Sequence, residues 1–150
     1  MKSFLYRILL NILFILISCG SENVEEQKKN LNGYWEIERV DSPYGNNREY
    51  KISETIDYIE VKNDSGFRAK VLPRLDGTII TNGNTENIVL SVKDDSLRLN
   101  YNTDFDRWSE TVISAKDNKL VLKNNRGMIY TYTKYKPINL EEDGLLPEKQ

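Results

Sequence analysis

The feature that most restricts this chain is a beat of short alternating runs broken by turn residues. In residues 33–40, Trp35 and Ile37 alternate with Glu36 and Glu38, the period-two mark of a half-buried strand. Residues 42–51, with Pro43, Gly45 and Asn46-Asn47, read as a long loop, and residues 55–62 as a strand. Asn63-Asp64-Ser65-Gly66 then turns the chain into residues 67–72, with Phe67, Ala69 and Val71 on one side, and Pro73 stops that run. Asp76-Gly77 leads into residues 78–81, and Asn82-Gly83-Asn84 turns again. Beyond it, Ile88, Leu90 and Val92 share a face, and after Asp94-Asp95 so do Leu97, Leu99 and Tyr101. Residues 108–115, 120–122 and 128–136 complete the series, separated by Asp117-Asn118 and by residues 124–127. No stretch sustains a helical period of about 3.6 residues. The expectation is an all-β, antiparallel meander of about eight or nine strands, closed into a barrel because closure removes the exposed edges.

The first thirty residues are of another kind. Lys2 and Arg7 precede an apolar run over residues 8–17, broken only by Asn11, and Ser18 is a small residue before Cys19. A run of that length falls short of the roughly 20 apolar residues that span a bilayer, so residues 1–18 read as a cleaved signal peptide. Leu16-Ile17-Ser18-Cys19 resembles the bacterial lipobox, with an aliphatic residue three before the cysteine and a small one just before it. The resemblance implies lipoprotein processing: diacylglycerol on Cys19, cleavage after Ser18, and a fatty acyl chain such as palmitate on the new amino terminus. Cys19 is the sole cysteine and has no partner for an internal disulfide. Residues 19–30, with Glu22, Glu25 and Glu26, read as a flexible acidic tether, and residues 139–150 as a polar tail. Gly20 after the cysteine matches outer-membrane sorting, with the domain facing either the periplasm or the cell surface.

Composition removes several kinds of chemistry. The chain has no histidine, which excludes histidine triads, histidine bases and histidine metal sites. Its net charge of −2, with both signs interspersed, gives no reason to expect nucleic acid. Asn102-Thr103-Asp104-Phe105-Asp106 has calcium-like spacing, but the sixth and twelfth loop positions are Arg107 and Ile113 rather than Gly and Glu. Glu54, Asp57 and Glu60 are acidic, yet nothing fixes the separation that a carboxylate pair needs. No phosphate-binding glycine loop is present. Neither a metal nor another cofactor is expected, and no catalytic residue is assigned.

Leu31-Asn32-Gly33-Tyr34-Trp35 resembles the Gly-x-Trp entry of lipocalins and of bacterial lipocalin-like lipoproteins. Residues 113–122 and Tyr130-Thr131-Tyr132-Thr133-Lys134 resemble the closing strands of that group, so the resemblance spans about residues 31–136. It implies a lipocalin-like barrel, placed here at residues 31–138, with Trp35 plugging one end under a basic residue from a late strand. Arg126 and Lys134 are the two candidates for that residue.

Tyr58, Tyr101, Trp108, Tyr130 and Tyr132 pair apolar bodies with hydrogen-bonding tips, and they are the candidate lining of a pocket. The function expected is non-catalytic: a protein anchored in the envelope by lipid on Cys19, holding a small apolar or amphipathic molecule in a cavity of roughly 300 Å³ or more. The alternative is a filled barrel that contacts another envelope protein through an outer apolar patch.

Overall fold

The structure, a computed structural model, describes residues 23–136. The leader at 1–18, Cys19, the start of the tether and the tail at 139–150 lie outside the described residues.

Among the described residues, nine strands form one antiparallel sheet: β1 Gly33–Asp41, β2 Arg48–Glu49, β3 Ile56–Lys62, β4 Ser65–Pro73, β5 Ile79–Lys93, β6 Ser96–Asn102, β7 Arg107–Lys116, β8 Lys119–Asn124 and β9 Ile129–Lys134. Each strand pairs with the next, except that the two-residue β2 only extends the edge of β1, which passes on to β3. β9 returns to β1, with Trp35 opposite Lys134 and Val40 opposite Tyr130, and closes an eight-stranded barrel. Two hairpins turn through paired residues of positive φ, Asp94-Asp95 and Asp117-Asn118. Asp and Asn enter that region more readily than other non-glycine residues, and paired positive φ matches the twist of a tight hairpin.

Period-two alternation fills the barrel. Trp35, Ile59, Ile88, Leu90, Leu97, Leu99, Val112, Leu120 and Leu122 are all buried in one cluster. Their apolar area, worth about 25 cal/mol per Å² removed from water, is the main stabilising contribution.

Four details depart from the sequence reading. Val24–Asn30, expected as flexible tether, is an α-helix, α1. The Asn23 side chain accepts from Glu25 N at 3.0 Å, with Glu25 and Glu26 in the first turn and Lys28 and Lys29 in the last, complementing the helix dipole. The helix packs on β6 and β7, buries Gln27, and is tied down by Asn30 Nδ2 donating to Ala115 O at 2.7 Å. Asn82-Gly83-Asn84 makes no hairpin. β5 runs through it, and Gly83, at φ +80°, serves a register shift opposite Ala69 and Val71. The loop at 42–51 contains β2. Val92, expected on the inner face, is 53% exposed: it lies at the barrel rim beside the Asp94-Asp95 turn, where α1 packs on β6 and β7, and Leu97 opposite it on β6 is fully buried.

Candidate functional site

The two ends of the barrel differ in chemistry. At the first, α1 and Leu31 cover the interior, and Trp35 Nε1 donates to Leu31 O at 2.8 Å. Lys134 extends across Trp35, its Nζ 5.3 Å from the ring centre. Between the two candidate cations, the structure selects Lys134. This end is closed by packing.

The other end opens where the β6–β7 and β8–β9 connections meet, onto a cavity of about 470 Å³. Its floor is ionic. β4 contributes Arg68 and Lys70, β3 contributes Asp57 from the position opposite Lys70, and β7 contributes Glu110. Arg68 Nε donates to Glu86 Oε2 at 2.5 Å, while Nη1 donates to the Tyr101 hydroxyl at 3.3 Å and to Glu110 Oε2 at 3.4 Å. Its guanidinium carbon lies 4.4 Å from the centre of the Tyr101 ring. Burial works against the Arg68 charge, but Tyr101, Asp57 and Glu86 outweigh it and hold its pKa above the ordinary value. Burial raises the Glu110 carboxyl, and Arg68 offsets only part of that shift. Burial likewise raises the Tyr101 and Tyr132 hydroxyls, with Asp57 and Glu110 adding to it at Tyr132, so both stay protonated.

Above this floor stands an aromatic wall. Trp108 lies opposite Tyr101 and stacks on it, the ring centres 4.9 Å apart and the planes 12° from parallel. Tyr130 and Tyr132 line the same cavity from β9, and the Tyr130 hydroxyl accepts from Asn124 Nδ2 at 3.2 Å.

Four of the five aromatic residues read from the sequence therefore belong to this end. Trp108, Tyr130 and Tyr132 face the cavity, and Tyr101 backs Trp108 from below. Tyr58 does not belong. Strand alternation places Asp57 and Ile59 inside and turns Tyr58 to the outer wall, where it stacks on Tyr34 at 4.6 Å and meets Phe67 edge-on at 5.8 Å. There its hydroxyl donates to Glu60 Oε2, which helps push its pKa up to about 12.

Sequence reasoning missed the ionic floor. Parity signals only part of it: Glu110 stands between Trp108 and Val112 at an inward position, whereas β4 turns Arg68 and Lys70 inward and sets its apolar Phe67, Ala69 and Val71 against the outer wall. Glu54, Asp57 and Glu60 do not converge, since Asp57 alone enters the cavity. The loop at Asn102–Asp106 folds on itself through Thr103 N to Asp106 O at 3.0 Å and Asp106 N to Thr103 Oγ1 at 3.0 Å. Among the described residues, no group of three or more acidic, histidine or cysteine side chains could hold a metal, and no helix is long and apolar enough to cross a membrane.

An antiparallel barrel of eight strands, entered by Gly-x-Trp, plugged at one end and open at the other, defines a lipocalin-like architecture. The model of the lipocalin-like domain matches residues 31–122, and the chain belongs to that family. In overall shape it is similar to a lipocalin-like protein from Bacteroides uniformis, at 13% identity and a TM-score of 0.46 over 71% of this chain and 99% of the other. A protein from Bacteroides eggerthii gives 14% and 0.46, over 70% and 99% of the two chains. Apocrustacyanin C1 gives 11% and 0.41, over 84% and 76%. No curated protein matches the sequence significantly.

Proposed function

We propose that this protein is a non-catalytic binding barrel, lipid-anchored in the cell envelope through Cys19, which holds a small amphipathic molecule in its open mouth. The observation that carries the reading is the roughly 470 Å³ mouth, with an aromatic wall of Trp108, Tyr130 and Tyr132 above a buried ionic floor. Ligand sites combine apolar surface with a few fixed polar groups in this way. A purely apolar guest fits poorly, because it would strip water from the half-exposed Lys70 ammonium without replacing it and would offer no partner to the buried carboxylates of Asp57 and Glu110. The alternative of a partner-binding module with a filled barrel accounts for the outer-wall cluster of Tyr34, Tyr58 and Phe67, but leaves the open mouth unexplained.

The anchor reading rests on the leader and on Leu16-Ile17-Ser18-Cys19. It places the protein at the outer membrane, facing the periplasm or the cell surface. With α1 starting at Val24, only a few residues separate Cys19 from the closed end, a reach of about 3.5 Å per residue at most. Anchoring there turns the plugged end toward the bilayer and the mouth away from it.

Native mass spectrometry of protein extracted gently from its own membranes tests both parts. The expected result is a chain beginning at acylated Cys19, with a small molecule that is lost on collisional heating. An uncleaved leader contradicts the anchor, and a chain that carries no guest contradicts the carrier reading.

A further inference from the structure

The ionic floor specifies more than the presence of a guest. Asp57 and Glu110 sit on β3 and β7, which lie on opposite sides of the eight-stranded barrel, and both carboxylates line the cavity. With Glu86 they bring three carboxylates against the Arg68 guanidinium and the Lys70 ammonium, while Asp106 and Arg126 offset each other at the rim. Arg68 is committed to Glu86, Glu110 and Tyr101. Asp57 is 2% exposed, and its Oδ1 is held by an ion pair with Lys70 Nζ at 2.5 Å. That lysine side chain is itself 59% exposed. The Lys70 ammonium is thus the chain's own specimen of what this floor accepts, held by a stem that solvent can reclaim. Aromatic faces beside carboxylates are the usual surroundings of a bound ammonium, and an anion would add to charge that is already in excess.

Resting on the carrier reading above, we propose that the guest is an amphipathic amine. Its ammonium lies between Asp57 and Glu110 in place of Lys70, and its apolar body lies against Trp108 and Tyr130.

The test is calorimetric titration of the mature protein with phenethylamine, phenylpropionate and phenylpropanol, which share a ring and differ in the charge of the head group. The amine is expected to bind roughly tenfold tighter than the carboxylate. Asp57→Asn and Glu110→Gln should each weaken the amine by about tenfold, several-fold more than they weaken the alcohol. Lys70→Gln, at an exposed position that does not endanger folding, should tighten the amine several-fold by removing its internal competitor. Phenylpropionate binding as tightly as the amine, or Lys70→Gln weakening the amine, overturns the charge assignment and leaves the carrier reading standing. Failure of all three probes overturns the carrier reading along with it.

Discussion

Lys134 sets its ammonium 5.3 Å from the centre of the Trp35 ring, directly across the β1–β9 seam that closes the barrel. One contact thus joins the first and last barrel strands and covers the largest buried side chain. Trp35→Ala should cost about 3–5 kcal/mol, the range for emptying a large aromatic site. Lys134→Ala should cost about 0.5–2 kcal/mol, the range for a cation held over a ring. Urea unfolding of the two variants checks both. A loss for Trp35→Ala under about 1 kcal/mol would show that the plug is dispensable.

Gly33 makes that contact sterically possible. Its φ is +134°, and a Cβ there would lie 3.0 Å from Lys134 Cε. Gly33→Ala should therefore destabilise by about 1–3 kcal/mol through backbone strain and crowding together. In a double-mutant cycle, Lys134→Ala should relieve the crowding and leave the strain, so that the two changes are less than additive. Full additivity would mean that the lysine stem does not sense the glycine.

Much of this was legible before any coordinates. Barrel strands, hairpins and Trp35 follow from alternation and turn chemistry, both of which are local. What was not legible depended on the third dimension. Seven residues of α1 are too few to show a helical period, and only its capping residues announce it. Tyr58 looks like Tyr132 in one dimension, but the pairing of Tyr34 with Tyr58 and Trp35 with Asp57 turns it outward. The ionic floor joins β3, β4, β5 and β7, and the sequence does not show that Arg68 will meet Glu110, 42 residues on.

Glu110 should make stability depend on pH in a predictable sense. Burial holds its folded pKa above the ordinary value of 4.5. Folding therefore favours the protonated form, and that contribution is present in full below 4.5 and lost as pH rises through the raised value. Glu110→Gln keeps a neutral side chain throughout. The variant and the parent should have similar urea midpoints near about pH 4, and the variant should be the more stable at about pH 8. Parallel curves for the two proteins would contradict the sign.

The helix at the closed end should contribute to stability as more than a tether. Leu31 is fully buried beneath it and accepts the Trp35 indole N–H through its carbonyl. Leu31→Ala should cost about 2–5 kcal/mol in thermal or urea unfolding. A change near zero would mean that α1 detaches freely from the barrel.

The central claim is that one end of the barrel is packing and the other is a binding mouth, and the two tryptophans separate the ends. Trp35 lies in the plug and Trp108 lines the mouth. The decisive measurement is contact quenching by bromophenethyl alcohol, an uncharged amphipath carrying a heavy atom, in Trp35→Phe and Trp108→Phe proteins. Saturable quenching should persist when Trp108 is the remaining fluorophore and vanish when only Trp35 remains. Saturable quenching of Trp35, or of neither, would contradict the account.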